Sequence, residues 1–120
     1  TIVKNRQGGI SSCEISYHNK LSEFETEYLK YTKEVAINIM DRNLGDHMVI
    51  GTSAMIETEI DSVIGMNSGI YNNPFLFWGR YRKKWFKYCL PISFQFHHTQ
   101  MDGSHAACFL EKLQKEILAM

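Results

Sequence analysis

The sequence predicts an α+β domain, a mostly antiparallel or mixed sheet with two helices, on three observations. Leu90, Ile92, Phe94 and Phe96 alternate with Ser93 and Gln95, the period of a strand with one buried face. Phe24, Tyr28, Tyr31, Val35 and Ile39 recur at three- and four-residue steps, the period of an amphipathic helix. A second such stripe, Ala106, Phe109 or Leu110, Leu113 and Ile117, lies near the end of the chain.

The elements follow in order. Residues 1–9 resemble an interior hairpin, and the chain starts at Thr1 rather than Met, so it is expected to be a piece of something longer. Gly8-Gly9 marks a turn, and in the strand expected over 10–17 Cys13, Ile15 and Tyr17 form the buried face. Ser22 and Glu25 have the spacing of a capping box, which starts a helix running to about Met40. A polar loop over 41–46 contains Gly45. Strands are expected over 48–50, 55–63 and 75–81, the last after the turn Asn72-Asn73-Pro74, and then over 90–96. The closing helix is expected from about Ser104.

Bulk properties narrow the function. The 120 residues fit a single domain, 1–120, and 44% hydrophobic with 22% charged residues is the profile of a globular protein. Lysine plus arginine and aspartate plus glutamate are equal at 13 each, so no nucleic acid or anionic membrane is expected as partner. Cys13, Cys89 and Cys108 are sparse and odd in number, which argues for a reducing compartment. No apolar run spans a bilayer and no signal-peptide layout is present, so a cytoplasmic location is expected.

The chemistry concentrates where the clearest strand ends and the last helix begins, at His97-His98-Thr99-Gln100-Met101-Asp102-Gly103. A histidine at such a junction stands on rigid elements and titrates near neutrality, which suits a general base. Asp102 can anchor the loop, and Gly103 allows a tight turn. A structural or solvated histidine is the plainer alternative. His98, Asp102 and His105 are also zinc-ligand types, but no compact ligand signature frames them, and no metal is expected.

The segment Leu90-Pro-Ile-Ser-Phe-Gln-Phe-His-His-Thr-Gln-Met-Asp-Gly-Ser104 closely resembles the H-H-x-x-x-D-G signature of chloramphenicol acetyltransferases. Thr52-Ser53-Ala54 with Asp61-Ser62, Asn73 through Tyr81, and Tyr17-His18 through Phe24 resemble further segments of that family in the same order. The resemblance runs from about residue 10 to the end and corresponds to roughly the C-terminal half of the family's chain. A shorter H-x-x-x-D-G pattern marks the acyltransferase cores of 2-oxoacid dehydrogenases, but the flanking segments favour the antibiotic-type family.

The resemblance implies a coenzyme-A-dependent acyltransferase fold and acetyl transfer from acetyl-CoA to a hydroxyl of chloramphenicol or a similar small molecule. It makes His98 the general base, Ser53 the oxyanion donor and Asp102 a structural anchor. Arg80 and Tyr81 match positions that contact coenzyme A, though Arg80-Tyr-Arg-Lys-Lys84 reads equally as a solvated hairpin face. Phe24 matches an aromatic wall of the acceptor pocket, and Phe77 stands where the family has a threonine near the acceptor. Acetyl-CoA is implied as co-substrate, with no cofactor bound permanently. The family's homotrimer, with active sites across subunit interfaces, is implied as the assembly. Ile56-Glu57 replaces the family's Pro-Trp, and the arginine that pairs with the aspartate belongs to the N-terminal half. The alternative is a truncated or degenerate member that does not turn over.

Overall fold

The computed structural model describes residues 1–65 and 72–120. Strands β1 (Ile2–Lys4) and β2 (Ile10–Ser12) form an antiparallel hairpin, with Val3 opposite Ser11. Its turn is built by Asn5, whose Oδ1 accepts from the amides of Gln7 at 3.1 Å and Gly9 at 3.0 Å. Gly8, at φ 85°, supplies the left-handed position that a side chain would resist. The hairpin read from residues 1–9 and from Gly8-Gly9 is therefore present, but the strand expected over 10–17 is cut short. Past Ser12 the backbone turns to residues 41–44 instead of a strand partner. Cys13 bridges Arg42, Glu14 Oε2 accepts from the Leu44 amide at 2.6 Å, and Tyr17 is exposed.

Helix α1 (Leu21–Asn38) buries Val35 and half-buries Phe24, Tyr28, Tyr31 and Ile39. The apolar spacing is right and both ends differ from expectation. Lys20, not Ser22, is the N-cap residue, and it makes no side-chain capping bond. Ser22 is already helical, and its carbonyl accepts from Thr26 Oγ1 at 2.8 Å, so the expected capping box does not form. At the other end Ile39 adopts φ 58° and its amide donates to the Val35 carbonyl, which stops the helix two residues before Met40. That left-handed closing position favours glycine or asparagine, and isoleucine gave no signal for it.

Strands β3 (Gly51–Met55), β4 (Phe75–Gly79) and β7 (Ile92–Gln95) form a mixed sheet in the order β3-β4-β7. β3 runs parallel to β4, and β7 antiparallel to it. β3 fills the gap between the strands expected over 48–50 and 55–63 and shares only Met55 with the second. Gly51 leaves room for the Phe75 ring, which a Cβ would strike. Residues 56–65 are not a strand. They turn at Met55–Thr58 and pass beside the sheet, where the Val63 amide donates to Ser93 Oγ at 3.0 Å and the Gly65 amide to Gln95 Oε1 at 2.7 Å. The face of β7 expected to be polar thus anchors a second length of chain.

Between β4 and β7 lies a hairpin, β5 (Arg82–Lys84) with β6 (Lys87–Cys89), Lys83 opposite Tyr88, where the sequence reading had a hairpin face as one alternative for Arg80 to Lys84 and no strand bounds. Helix α2 (Gly103–Ala119) follows β7 and buries Ala106, and Phe109 meets Phe94 with ring centroids 4.7 Å apart. The architecture is α+β, as expected, with mixed and antiparallel pairing. No helix among the described residues is long and apolar enough to cross a membrane.

Candidate active site

Pairing of β7 ends at Gln95, and the chain then folds into a tight turn. The amides of Gln100 and Met101 both donate to the His97 carbonyl, at 2.9 and 3.3 Å. Both histidines project from this turn and are exposed. Their ring nitrogens differ in role. His97 Nδ1 accepts from the Thr99 amide at 3.3 Å and lies 2.6 Å from Thr99 Oγ1, so its lone pair is already engaged. His98 Nδ1 lies 3.3 Å from the Met101 carbonyl oxygen. A carbonyl only accepts, so this contact assigns the proton to Nδ1 and leaves the Nε2 lone pair open. A general base needs such an open lone pair.

No hydrogen bond among the described residues joins Asp102 to His98. It is the N-cap of α2, where the helix amides lack partners, and its Oδ1 accepts from the amides of Ser104 at 2.9 Å and His105 at 3.0 Å. Ser104 Oγ donates to the same oxygen at 2.7 Å, and His105 Nδ1 lies 2.8 Å away. These bonds, the His105 amide first, hold the carboxyl down at about 2. The expected anchor is thus a helix cap, and its contacts all fall on one oxygen. No group of three His, Cys, Asp or Glu side chains among the described residues is placed to hold a metal ion.

Ser53 sits at the middle of β3. It is in register with Phe77 of β4, which is in register with Ser93 of β7, so the three lie on one face of the sheet. Phe77 stacks on Phe75 with centroids 4.5 Å apart. Ser53 and the end of β7 are two strand spacings apart, roughly 10 Å across the sheet. No hydrogen bond among the described residues joins Ser53 to His98. Phe24 packs against Tyr28 on α1, 6.0 Å between centroids, and α1 lies against β1 and β2. One chain therefore places the turn, the serine and the α1 aromatic on separate elements.

Arg80 and Tyr81 leave the end of β4 and line an open groove of about 570 Å³ with Ile56, Trp78, Gly79 and Leu90. The Arg80 guanidinium is spent within the chain, Nε donating to the Ile56 carbonyl at 2.9 Å and Nη2 to the Glu57 carbonyl at 2.7 Å. Arg82 extends the same clamp. It donates to the Ile60 carbonyl at 2.8 Å and to Asp61 at 2.9 Å, with Glu59 at 3.5 Å. Sequence reasoning missed Arg82, Ser93 and Gln95 as the residues that hold 56–65 in place. The acidic run Glu57, Glu59, Asp61 facing the basic run from Arg80 was the available signal.

A family model described as chloramphenicol acetyltransferase matches residues 1–114. A chloramphenicol acetyltransferase of Clostridium butyricum is 29% identical over 120 residues, covering 96% of this chain. The chain spans 54%, about half, of that relative's length.

Proposed function

Because the chain belongs to the chloramphenicol acetyltransferase family, we propose that it carries the general base for acetyl transfer from acetyl-CoA to a hydroxyl of chloramphenicol or a similar small molecule. The observation that carries this reading is the contact from His98 Nδ1 to the Met101 carbonyl, which leaves Nε2 able to take a proton. Nε2 accepts the acceptor hydroxyl's proton as that oxygen attacks the thioester carbonyl. The tetrahedral intermediate carries its negative charge on the former carbonyl oxygen. It collapses by breaking the carbon–sulfur bond, and the imidazolium returns its proton to the departing thiolate. The products are an acetyl ester and free coenzyme A.

Ser53 donates to the oxyanion, a contribution of about 2.7–4 kcal/mol to the barrier. Its distance across the sheet from the His98 turn supports a site in which the serine comes from a neighbouring subunit of a homotrimer. Asp102 acts through α2 and the turn it caps, not on the reacting atoms. Tyr81 and the groove beside it take coenzyme A, and Phe24 and Phe77 belong to the acceptor side. The three free cysteines fit a reducing, cytoplasmic setting. The same separation of Ser53 from His98 favours a second reading for the chain as a monomer, a non-catalytic member whose site halves never meet.

Thiol release from acetyl-CoA in the presence of chloramphenicol tests the proposal. Turnover by the chain that is lost in His98→Ala is the expected result. Equal turnover in both proteins would remove His98 as the base.

A further inference from the structure

The turn that carries His98 is solvent-exposed throughout residues 97–100, so its shape is set by hydrogen bonds rather than by packing. Among the described residues, the bonds made by 97–101 all close within that segment, and all but one of them involve His97. Its carbonyl accepts from the amides of Gln100 and Met101, and its ring Nδ1 accepts from the Thr99 amide at 3.3 Å. Thr99 Oγ1 lies 2.6 Å from the same nitrogen. An amide N–H only donates, so this contact requires a lone pair on Nδ1 and puts the His97 proton on Nε2. The neighbouring rings therefore hold opposite tautomers, His97 protonated on Nε2 and His98 on Nδ1. A side-chain acceptor bonded to the amide two residues on is the brace that Asn5 supplies in the β1–β2 turn, through Oδ1 and the Gln7 amide. His97 does the same with a ring nitrogen.

We infer that His97 is a positioning residue for His98, its Nδ1 bracing the turn that brings the Met101 carbonyl to the His98 ring. The inference rests on the acyl-transfer reading, in which His98 is the base, and gives the first histidine of the pair a task of its own. His97 touches no reacting atom. Its ring fixes residues 97–99, its carbonyl fixes the Met101 amide, and the Met101 carbonyl orients His98. Without the Nδ1 acceptor the exposed Thr99 amide turns to water, and the Met101 carbonyl loses its fixed place. His98 then carries its proton on either nitrogen, and only the form protonated on Nδ1 has an open Nε2.

The ¹⁵N shifts of both rings and steady-state acetyl transfer test this in two variants of the chain. His97→Ala removes the acceptor for the Thr99 amide, and His97→Asn keeps one, as Asn5 does in its own turn. In the unaltered chain His97 should show an unprotonated Nδ1 and a protonated Nε2. His97→Ala should move His98 toward a mixture of tautomers and lower kcat about fivefold, the worth of one ordinary hydrogen bond, with KM unchanged. His97→Asn should restore the His98 shifts and most of kcat. The inference is overturned if His97→Ala leaves the His98 shifts as they were, or if His97→Asn does no better than His97→Ala. A His97 ring protonated on Nδ1 in the unaltered chain would overturn it as well. Absence of turnover in the unaltered chain counts against the acyl-transfer reading alone, and the ring shifts still decide the inference.

Discussion

His98 and Asp102 stand four residues apart in one signature and contribute differently. His98 offers a lone pair on Nε2 because its Nδ1–H donates to the Met101 carbonyl. Asp102 offers its charge to the first turn of α2, where orphan amides and the positive end of the helix dipole favour a carboxylate. Its folded pKa of about 2 lies below the ordinary aspartate value of 3.8, so its stabilising effect is present above about 4 and is lost as pH falls through about 2. Asp102→Asn should therefore flatten the fall in stability between pH 4 and 2, which thermal melts across that range will read. Asp102→Ala should lower the melting temperature at pH 7, because two helix amides and the Ser104 hydroxyl lose their acceptor. The position of the histidine pair and of the aspartate was legible in sequence from the strand that precedes them. The ring tautomer was not, since it depends on where a backbone carbonyl falls in a turn.

Elements with strong periodicity were the legible ones. The stripe from Phe24 to Ile39 is α1, and the alternation of Ile92 and Phe94 with Ser93 and Gln95 is β7. Boundaries failed where a residue acts against its usual preference. Ile39 closes α1 in a left-handed conformation, and Gly51 opens β3 because Phe75 needs the space. The hairpin β5–β6 turns through Trp85 at φ 59°, a position that favours glycine, so no turn signal was present to read. The 56–65 segment is held by side chains rather than by a ladder, and period-two patterning does not report that. Arg82→Ala should free its 59–61 portion from the sheet and speed proteolytic cleavage there. These contacts are largely solvent-exposed, so the loss of global stability should stay below about 1 kcal/mol. Arg82→Lys keeps the charge but not the forked donors, and should be cleaved at an intermediate rate.

The whole chain has a thin core. Cys13, Val35 and Ala106 are the buried apolar residues among those described, while Ile10, Met48, Ile64, Trp85, Phe86 and Leu118 are each at least 75% exposed. In the proposed homotrimer such side chains are candidates for subunit contacts, and the chain spans about half of its relative's length. A site shared between subunits leads to a complementation test. His98→Ala and Ser53→Ala chains, each inactive alone, should regain activity when co-assembled, with about a quarter of sites intact under random mixing into a cyclic trimer. A site contained in one subunit would regain none. The family and the α+β class were legible because they depend on motif order and periodicity. The placing of Ser53 on a different element from the His98 turn was not, since sequence alone does not encode distance across a sheet.

The role of His98 can be read directly from the ¹⁵N shifts of its imidazole at a pH where the ring is neutral. The proton should be found on Nδ1, with Nε2 showing the shift of an unprotonated nitrogen. A ring protonated on Nε2 would contradict the account, because the nitrogen assigned to take the acceptor's proton would already carry one.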